Sequence, residues 1–185
     1  MPIRLSILIP AIPSRWDRFQ KIYTKLERQA TNEVEVLGFI DNKKRTIGAK
    51  REALKGLVQG EYICYVDDDD WVSDDYIDSI LKGIKEKPDV IVFKQRAVIG
   101  EMKGTIDFDL NNKNEQFKPN EVTKRKPYHI CVWRTDLVKR HKFPDLMYGE
   151  DWGWVKKFIH KAKTQYKIDK IIHTYIFDPK VTEAI

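Results

Sequence analysis

"GEYICYVDDDDWVSDDYIDSIL", residues 60–81, sets four consecutive aspartates directly after an apolar run. The run 61–66 has the composition of a buried strand. Ile77, Ile80, Leu81 and Ile84 then recur at helical spacing, with Ser73 placed to cap the helix. Asp74 and Asp75 lie where a helix dipole favours acids. The stretch therefore reads as strand, acidic turn and helix. One or two acids suffice to start a helix, so Asp67–Asp70 exceed that need. Neighbouring carboxylates repel, and solvent, basic side chains or a cation must cancel their charge. An EF-hand loop is excluded, because counting from Asp67 puts Val72 at its glycine position and Asp78 at its glutamate position. Mg²⁺ or Mn²⁺, held by one or two carboxylates and completed by phosphate oxygens and water, suits the pattern.

Outward from this stretch, apolar periodicity predicts alternating elements. Residues 4–9 form a strand that Pro10 and Pro13 end. Ser14 and Asp17 have capping-box spacing, and Phe19, Ile22, Tyr23 and Leu26 mark a helix. Residues 33–40 form a second strand, 41–48 a polar loop, and 49–59 a helix that Gly60 stops. Pro88 ends the helix after the aspartates, and 89–99 is a fourth strand. This β-α-β-α-β-α-β order predicts a doubly wound, mostly parallel sheet with helices on both faces. Ligands of such sheets bind beyond the carboxyl ends of the strands, where the aspartates sit. The second half is less regular. Strands are expected at 104–110, 128–133 and, as one or two, 166–177. Helices are expected at 135–141 and 149–162, and a mobile loop at 111–127.

With 185 residues and no linker or repeat, the chain reads as one compact domain, 1–185, divided into halves at about residue 100. An apolar content of 42% and a charged content of 34% exclude disordered and fibrous classes. The apolar runs are far shorter than the ~20 residues of a membrane span, and Pro10 breaks the N-terminal one, which reads as a strand and not a signal peptide. Cys64 and Cys131 each lie in an apolar run and read as buried reduced thiols, which favours a cytoplasmic location. Seven of the 28 acidic residues fall between 67 and 78, so the rest of the chain sets 34 basic residues against 21 acidic ones. An acidic spot on a basic surface suits anionic partners.

"LSILIP", "GAKREALKGLVQGEYICYVDDDDW" and "GEDWGW", in this order, resemble the nucleotide-sugar-dependent glycosyltransferases of the GT-A fold, family 2 type. The resemblance spans residues 5 to about 155. It implies an inverting, metal-dependent transfer from a nucleoside-diphosphate sugar, a UDP-sugar by expectation, to an acceptor hydroxyl, with Mn²⁺ or Mg²⁺ as cofactor. It also implies residue roles. Pro10, Ala11 and Ile12 would line the nucleobase pocket, and Asp41 would bind the base. Arg51 would lie near the nucleotide. Asp67 would face the ribose or sugar, and Asp68 would fill the variable position beside it. Asp69 would ligate the metal, with His173 as a further candidate ligand. Asp151, with Glu150 beside it, would be the catalytic base. The loop "AIPSR" departs from the Thr, Tyr and Asn or Glu usual in this family after the first strand.

The chemistry agrees with these roles. The leaving nucleoside diphosphate gains negative charge that a divalent ion offsets, and the acceptor hydroxyl needs a carboxylate base. One metal-binding acid and one separate base imply a single displacement with inversion. Trp133, Trp152 and Trp154 near the base are candidates to stack on the acceptor. A glycan-type acceptor is the primary expectation. The basic stretches 124–126, 139–142 and 156–163 make hydroxylated bases of modified DNA the alternative. A nucleotidyltransferase would carry a Gly-rich phosphate loop, which "IPAIPSRW" lacks, and a non-enzymatic nucleic-acid-binding module leaves Asp67–Asp70 unexplained. The sequence leaves a homo-oligomer open.

Overall fold

A computed structural model describes residues 2–177. Residue 1 and residues 178–185 of the expected domain lie outside the described residues. Strand β1 (Leu5–Ala11) is buried along its whole length. It pairs in parallel with β2 (Val34–Ile40) on one edge and with β3 (Tyr62–Tyr65) on the other. The expected end of β1 at Pro10 is corrected. Pro10 continues the strand opposite Phe39, and it is tolerated because the β3 ladder stops at Leu8, so the missing N–H has no lost partner there. Ser6, inside the core, is satisfied by donating to Glu35 Oε1 (2.5 Å) and accepting from the Gly60 N–H (2.9 Å).

The crossovers are α1 (Trp16–Glu27), which packs on β1 and β2, and α2 (Ile47–Leu57). Because β2 and β3 flank β1, right-handed crossovers put α1 and α2 on opposite faces. The predicted capping box at Ser14 does not form. A 3₁₀ turn at Pro13–Arg15 leads into α1 instead. Helix α2 starts at Thr46, whose hydroxyl accepts from the Ala49 N–H, and it ends before Gly60. Gly60 serves close approach: a Cβ there would lie 2.6 Å from Ser6 Oγ.

Helix α3 (Tyr76–Ile84) buries Ile77, Ile80 and Ile84 as its spacing predicts. A two-residue strand absent from the sequence reading, β4 (Trp71–Val72), intervenes between the aspartates and α3. Strand β5 (Val90–Ile99) is central to the second half. Strand β9 (Gln165–Phe177) follows one edge in parallel and also takes β4. The other edge is shared by β8 (Val132–Arg134) and β6 (Met102–Phe108), both antiparallel. Strand β8 also joins β3, and β7 (Val122–Arg125) pairs with β6, so the path runs β2-β1-β3-β8-β5-β6-β7. The result is a mixed, mostly parallel α/β sheet with helices packed on it.

Three expectations fail here. The predicted loop 111–127 contains β7 (Val122–Arg125), paired with β6, and Glu115 and Asn114 accept from the Lys124 and Lys126 N–H groups. The predicted strand 128–133 is mostly a turn before β8. The predicted helix 149–162 is only α5 (Glu150–Val155) followed by a 3₁₀ turn, while α4 spans Thr135–Val138. Cys64 and Cys131 are buried free thiols. No described helix is long and apolar enough to cross a membrane.

Candidate active site

The C-terminal ends of β1 and β3, the start of α5 and the second-half strands enclose an open cleft of about 640 Å³. The acidic turn after β3 forms its floor, and arginines hold Asp67, Asp68 and Asp69. Arg51, on the inner face of α2, donates from one nitrogen to Asp67 Oδ1 (2.9 Å) and Oδ2 (3.2 Å). Its Nε lies 3.4 Å from Glu150 Oε1, and its guanidinium sits over the Tyr65 ring. Tyr65 in turn donates to the Arg51 carbonyl (2.8 Å), which pins this turn of α2 to β3. Burial alone would raise the Asp67 carboxyl, but Arg51 and then His129 outweigh it and hold it well below the usual range.

Arg15, from the turn after β1, lies 3.0 Å from Asp68 Oδ1 and 2.5 Å from Asp69 Oδ2. Asp68 is 1% exposed, and neither of its oxygens has a hydrogen-bond partner. Burial, followed by the charges of Asp69 and Asp67, outweighs Arg15 and pushes the Asp68 carboxyl up to about 7. Burial likewise raises Asp69. Asp70 points away from this pair: its Oδ1 accepts the Ile176 N–H (3.1 Å), and its Oδ2 lies 3.5 Å from His173 Nε2. Burial and the neighbouring acids hold its carboxyl well above the usual range.

His173 is buried behind the floor, stacked on Phe93, and does not line the cleft. With the Gln95 amide as donor to its Nδ1 (3.1 Å), its Nε2 carries the hydrogen toward Asp70. Burial pushes its pKa down to about 3, so the ring is neutral. The structure thus places the expected further ligand beside Asp70, not Asp69.

Asp151, the second residue of α5, lines the cleft with a partly exposed carboxylate. Its Oδ1 accepts the Trp152 N–H (2.6 Å), and its Oδ2 lies 3.7 Å from His129 Nδ1. His129 Nε2 is 3.8 Å from Asp67 Oδ2, so one buried imidazole stands between the two carboxylates. Glu150 turns inward to Arg51, is 5% exposed, and is raised by burial. Beside the cleft, a small recess is lined by Pro10, Ala11, Ile12, Ile47 and Lys50. Lys50 donates to the Ala11 carbonyl (3.2 Å) and pairs with Asp41 (2.7 Å). Burial opposes ionisation of Asp41, but the Lys50 ammonium prevails and lowers its pKa.

The expected acceptor tryptophans divide. Trp152 reaches the cleft and packs against Tyr128 (5.6 Å between ring centroids). Trp133 and Trp154 are 0% exposed, which removes them from the acceptor set. Their indole N–H groups donate to the carbonyls of Tyr128 (2.8 Å) and His141 (2.7 Å), and Trp154 stacks on Phe143. Sequence reasoning missed Arg15, Lys50 and His129. Lys50 adjoins Arg51 in the singled-out "GAKRE" and Arg15 closes the loop "AIPSR", but nothing local marked His129.

Among the described residues, no group of three or more His, Cys, Asp or Glu side chains is arranged to hold a metal ion. A hard divalent ion in a phosphate site needs only one or two carboxylates. Asp68 and Asp69 meet that need, and the buried Asp68 oxygens, which face Arg15 but accept no hydrogen bond, fit such an ion.

The glycosyl transferase family 2 model matches residues 14–147. Among curated proteins, the chain is 27% identical over 71 residues to EpsH of Bacillus subtilis (strain 168), covering 38% of this chain and 21% of EpsH. Among solved structures it resembles S. aureus TarS 1-349 in complex with UDP, at TM-score 0.72 and 17% identity, over 96% of this chain and 62% of that one. The same protein in complex with UDP-GlcNAc matches at TM-score 0.68 and 14% identity, over 99% and 62% of the two chains. The chain therefore spans about a fifth of EpsH and under two thirds of these TarS chains. At such identities the structural likeness establishes the fold.

Proposed function

Because the chain belongs to glycosyl transferase family 2, we propose that it moves a sugar from a UDP-sugar to an acceptor hydroxyl of a glycan-type substrate, with inversion and with Mn²⁺ or Mg²⁺. One observation carries this reading. The acidic turn and the separate carboxylate Asp151 face a single cleft, with His129 between Asp67 and Asp151.

The nucleobase lies toward the recess of Pro10, Ala11 and Ile12, with Asp41 and its partner Lys50 at the edge. The TarS complexes with UDP and UDP-GlcNAc support uracil as the base. Asp67, oriented by Arg51, takes the sugar side of the donor, with Asp68 beneath it. Asp69 and Asp68, whose oxygens face Arg15 but accept no hydrogen bond, would hold the divalent ion, which supplies charge compensation for the leaving diphosphate when bound. Asp151 accepts the proton of the acceptor hydroxyl as that oxygen attacks the anomeric carbon. Glu150 acts through Arg51 as a positioning residue. Trp152 offers the acceptor a ring face. His173 keeps a supporting place, orienting Asp70 from behind.

The test is a thermal-shift screen of nucleoside diphosphates and UDP-sugars with and without Mn²⁺. A metal-dependent rise with UDP is expected through ligand linkage. No rise with any nucleotide overturns the reading.

A further inference from the structure

We infer that the acceptor carries an anionic group, a phosphate or a carboxylate, read by Arg125. The inference rests on the proposed donor and acceptor sides of the cleft. Every other aspartate, glutamate or arginine lining the cleft faces an opposite charge or a histidine within 3.7 Å. Arg125, also a lining residue, forms no ion pair among the described residues, and its Nε is buried without a hydrogen-bond partner.

Its placement is fixed by the backbone. The Arg125 carbonyl accepts the Asp109 N–H (3.0 Å), and Arg125 stands opposite Phe108 in the parallel β6–β7 ladder. Paired residues in a ladder project to the same face. Arg125 therefore shares the cleft face with Phe108 and, two residues earlier, Ile106. Phe117 and Tyr128 complete this wall, and Tyr128 packs on Trp152, next in sequence to Asp151. A guanidinium whose Nε is buried without a hydrogen-bond partner gains when a ligand brings an anionic acceptor to it. Its planar fork matches phosphate or carboxylate. The donor diphosphate belongs at the acidic floor with Arg15 and Arg51, so Arg125 is left for the acceptor.

The test uses the full chain saturated with UDP and Mg²⁺, and follows the Trp152 indole N–H by NMR. Methyl phosphate and glucuronate are titrated separately, with methyl glucoside as the neutral control. A saturable shift with at least one anion is expected, weakened about tenfold or more in R125Q. R125K, which keeps the charge, is expected to lose less. The two anion arms distinguish a phosphate-bearing acceptor from a uronate. No saturable shift with either anion, or equal affinity in R125Q, overturns the inference. If UDP itself fails to bind, the donor reading has failed, and the same titrations without UDP still decide whether Arg125 holds an anion.

Discussion

At the residue scale, Asp151 and Glu150 show how neighbours in sequence part company in space. Asp151 keeps a partly exposed carboxylate in the cleft while Glu150 turns to the buried Arg51, because successive helical residues are about 100° apart. D151N keeps the shape and the contact with the Trp152 N–H but removes the basic carboxylate. It is expected to lower kcat by about 10²–10⁴-fold and to leave UDP affinity unchanged, as read by turnover and by calorimetry. An unchanged kcat would remove Asp151 from the base role. The Glu-Asp pair stood out in sequence by its order after the acidic turn, and the structure puts Asp151 at the cleft. His129 was not, because its meaning arises only when the turn before β8 brings it between Asp67 and Asp151. The tryptophans mislead for a related reason. Aromatic residues near a proposed site pack in the core as readily as they face a ligand, and only burial separates Trp152 from Trp133 and Trp154.

At the element scale, β1, β2, β3 and β5 were legible because each carries a run of apolar residues, and α1, α2 and α3 because each spans at least two turns of apolar period. Strands β4 and β7 were not, since they lie in polar stretches and are strands only through their partners, and β8 was met only at the end of the strand expected at 128–133. The same tertiary dependence decides two substitutions. Gly48 lies in α2, where alanine would ordinarily stabilise a helix by up to about 1 kcal/mol. Here a Cβ would sit 1.9 Å from the Pro144 carbonyl oxygen, and the Gly48 N–H donates to the Leu146 carbonyl. G48A is therefore expected to destabilise by about 1–3 kcal/mol in urea unfolding, against the propensity sign. Asp75 precedes α3, where Lys170, Ser73 and Ser79 hydrogen-bond its carboxylate and hold its pKa at about 2. A lowered folded pKa contributes stability above the unfolded value, and that contribution is lost as pH falls toward 2. The Asp75 side chain is 47% exposed, so screening leaves below about 1 kcal/mol. D75N should thus cost that much at pH 7 and progressively less between pH 5 and pH 3. A difference that grew with acid would contradict the assignment.

At the scale of the whole molecule, the distribution of charge links stability to ligands. Arg15 and Arg51 hold an acidic floor that would otherwise repel itself, and the chain is basic elsewhere. A divalent ion entering alone must compete with Arg15 for Asp68 and Asp69. A donor diphosphate gives Arg15 another anion to pair with, which frees those carboxylates. Metal and UDP should therefore bind cooperatively, each strengthening the other by the same factor. In thermal unfolding, Mn²⁺ with UDP is expected to raise the midpoint by more than the sum of the two separate shifts. R15A sharpens the argument. Without ligand it leaves two buried carboxylates unpaired and should lower the midpoint by several degrees, since about 1 kcal/mol corresponds to about 2–4 °C in a chain of this size. With Mn²⁺ alone, the competitor is gone, so the metal-induced rise should be larger in R15A than in the wild type. A smaller rise in R15A would mean that Arg15 assists metal binding and does not stand in its place. Equal rises would mean that the ion binds away from Asp68 and Asp69.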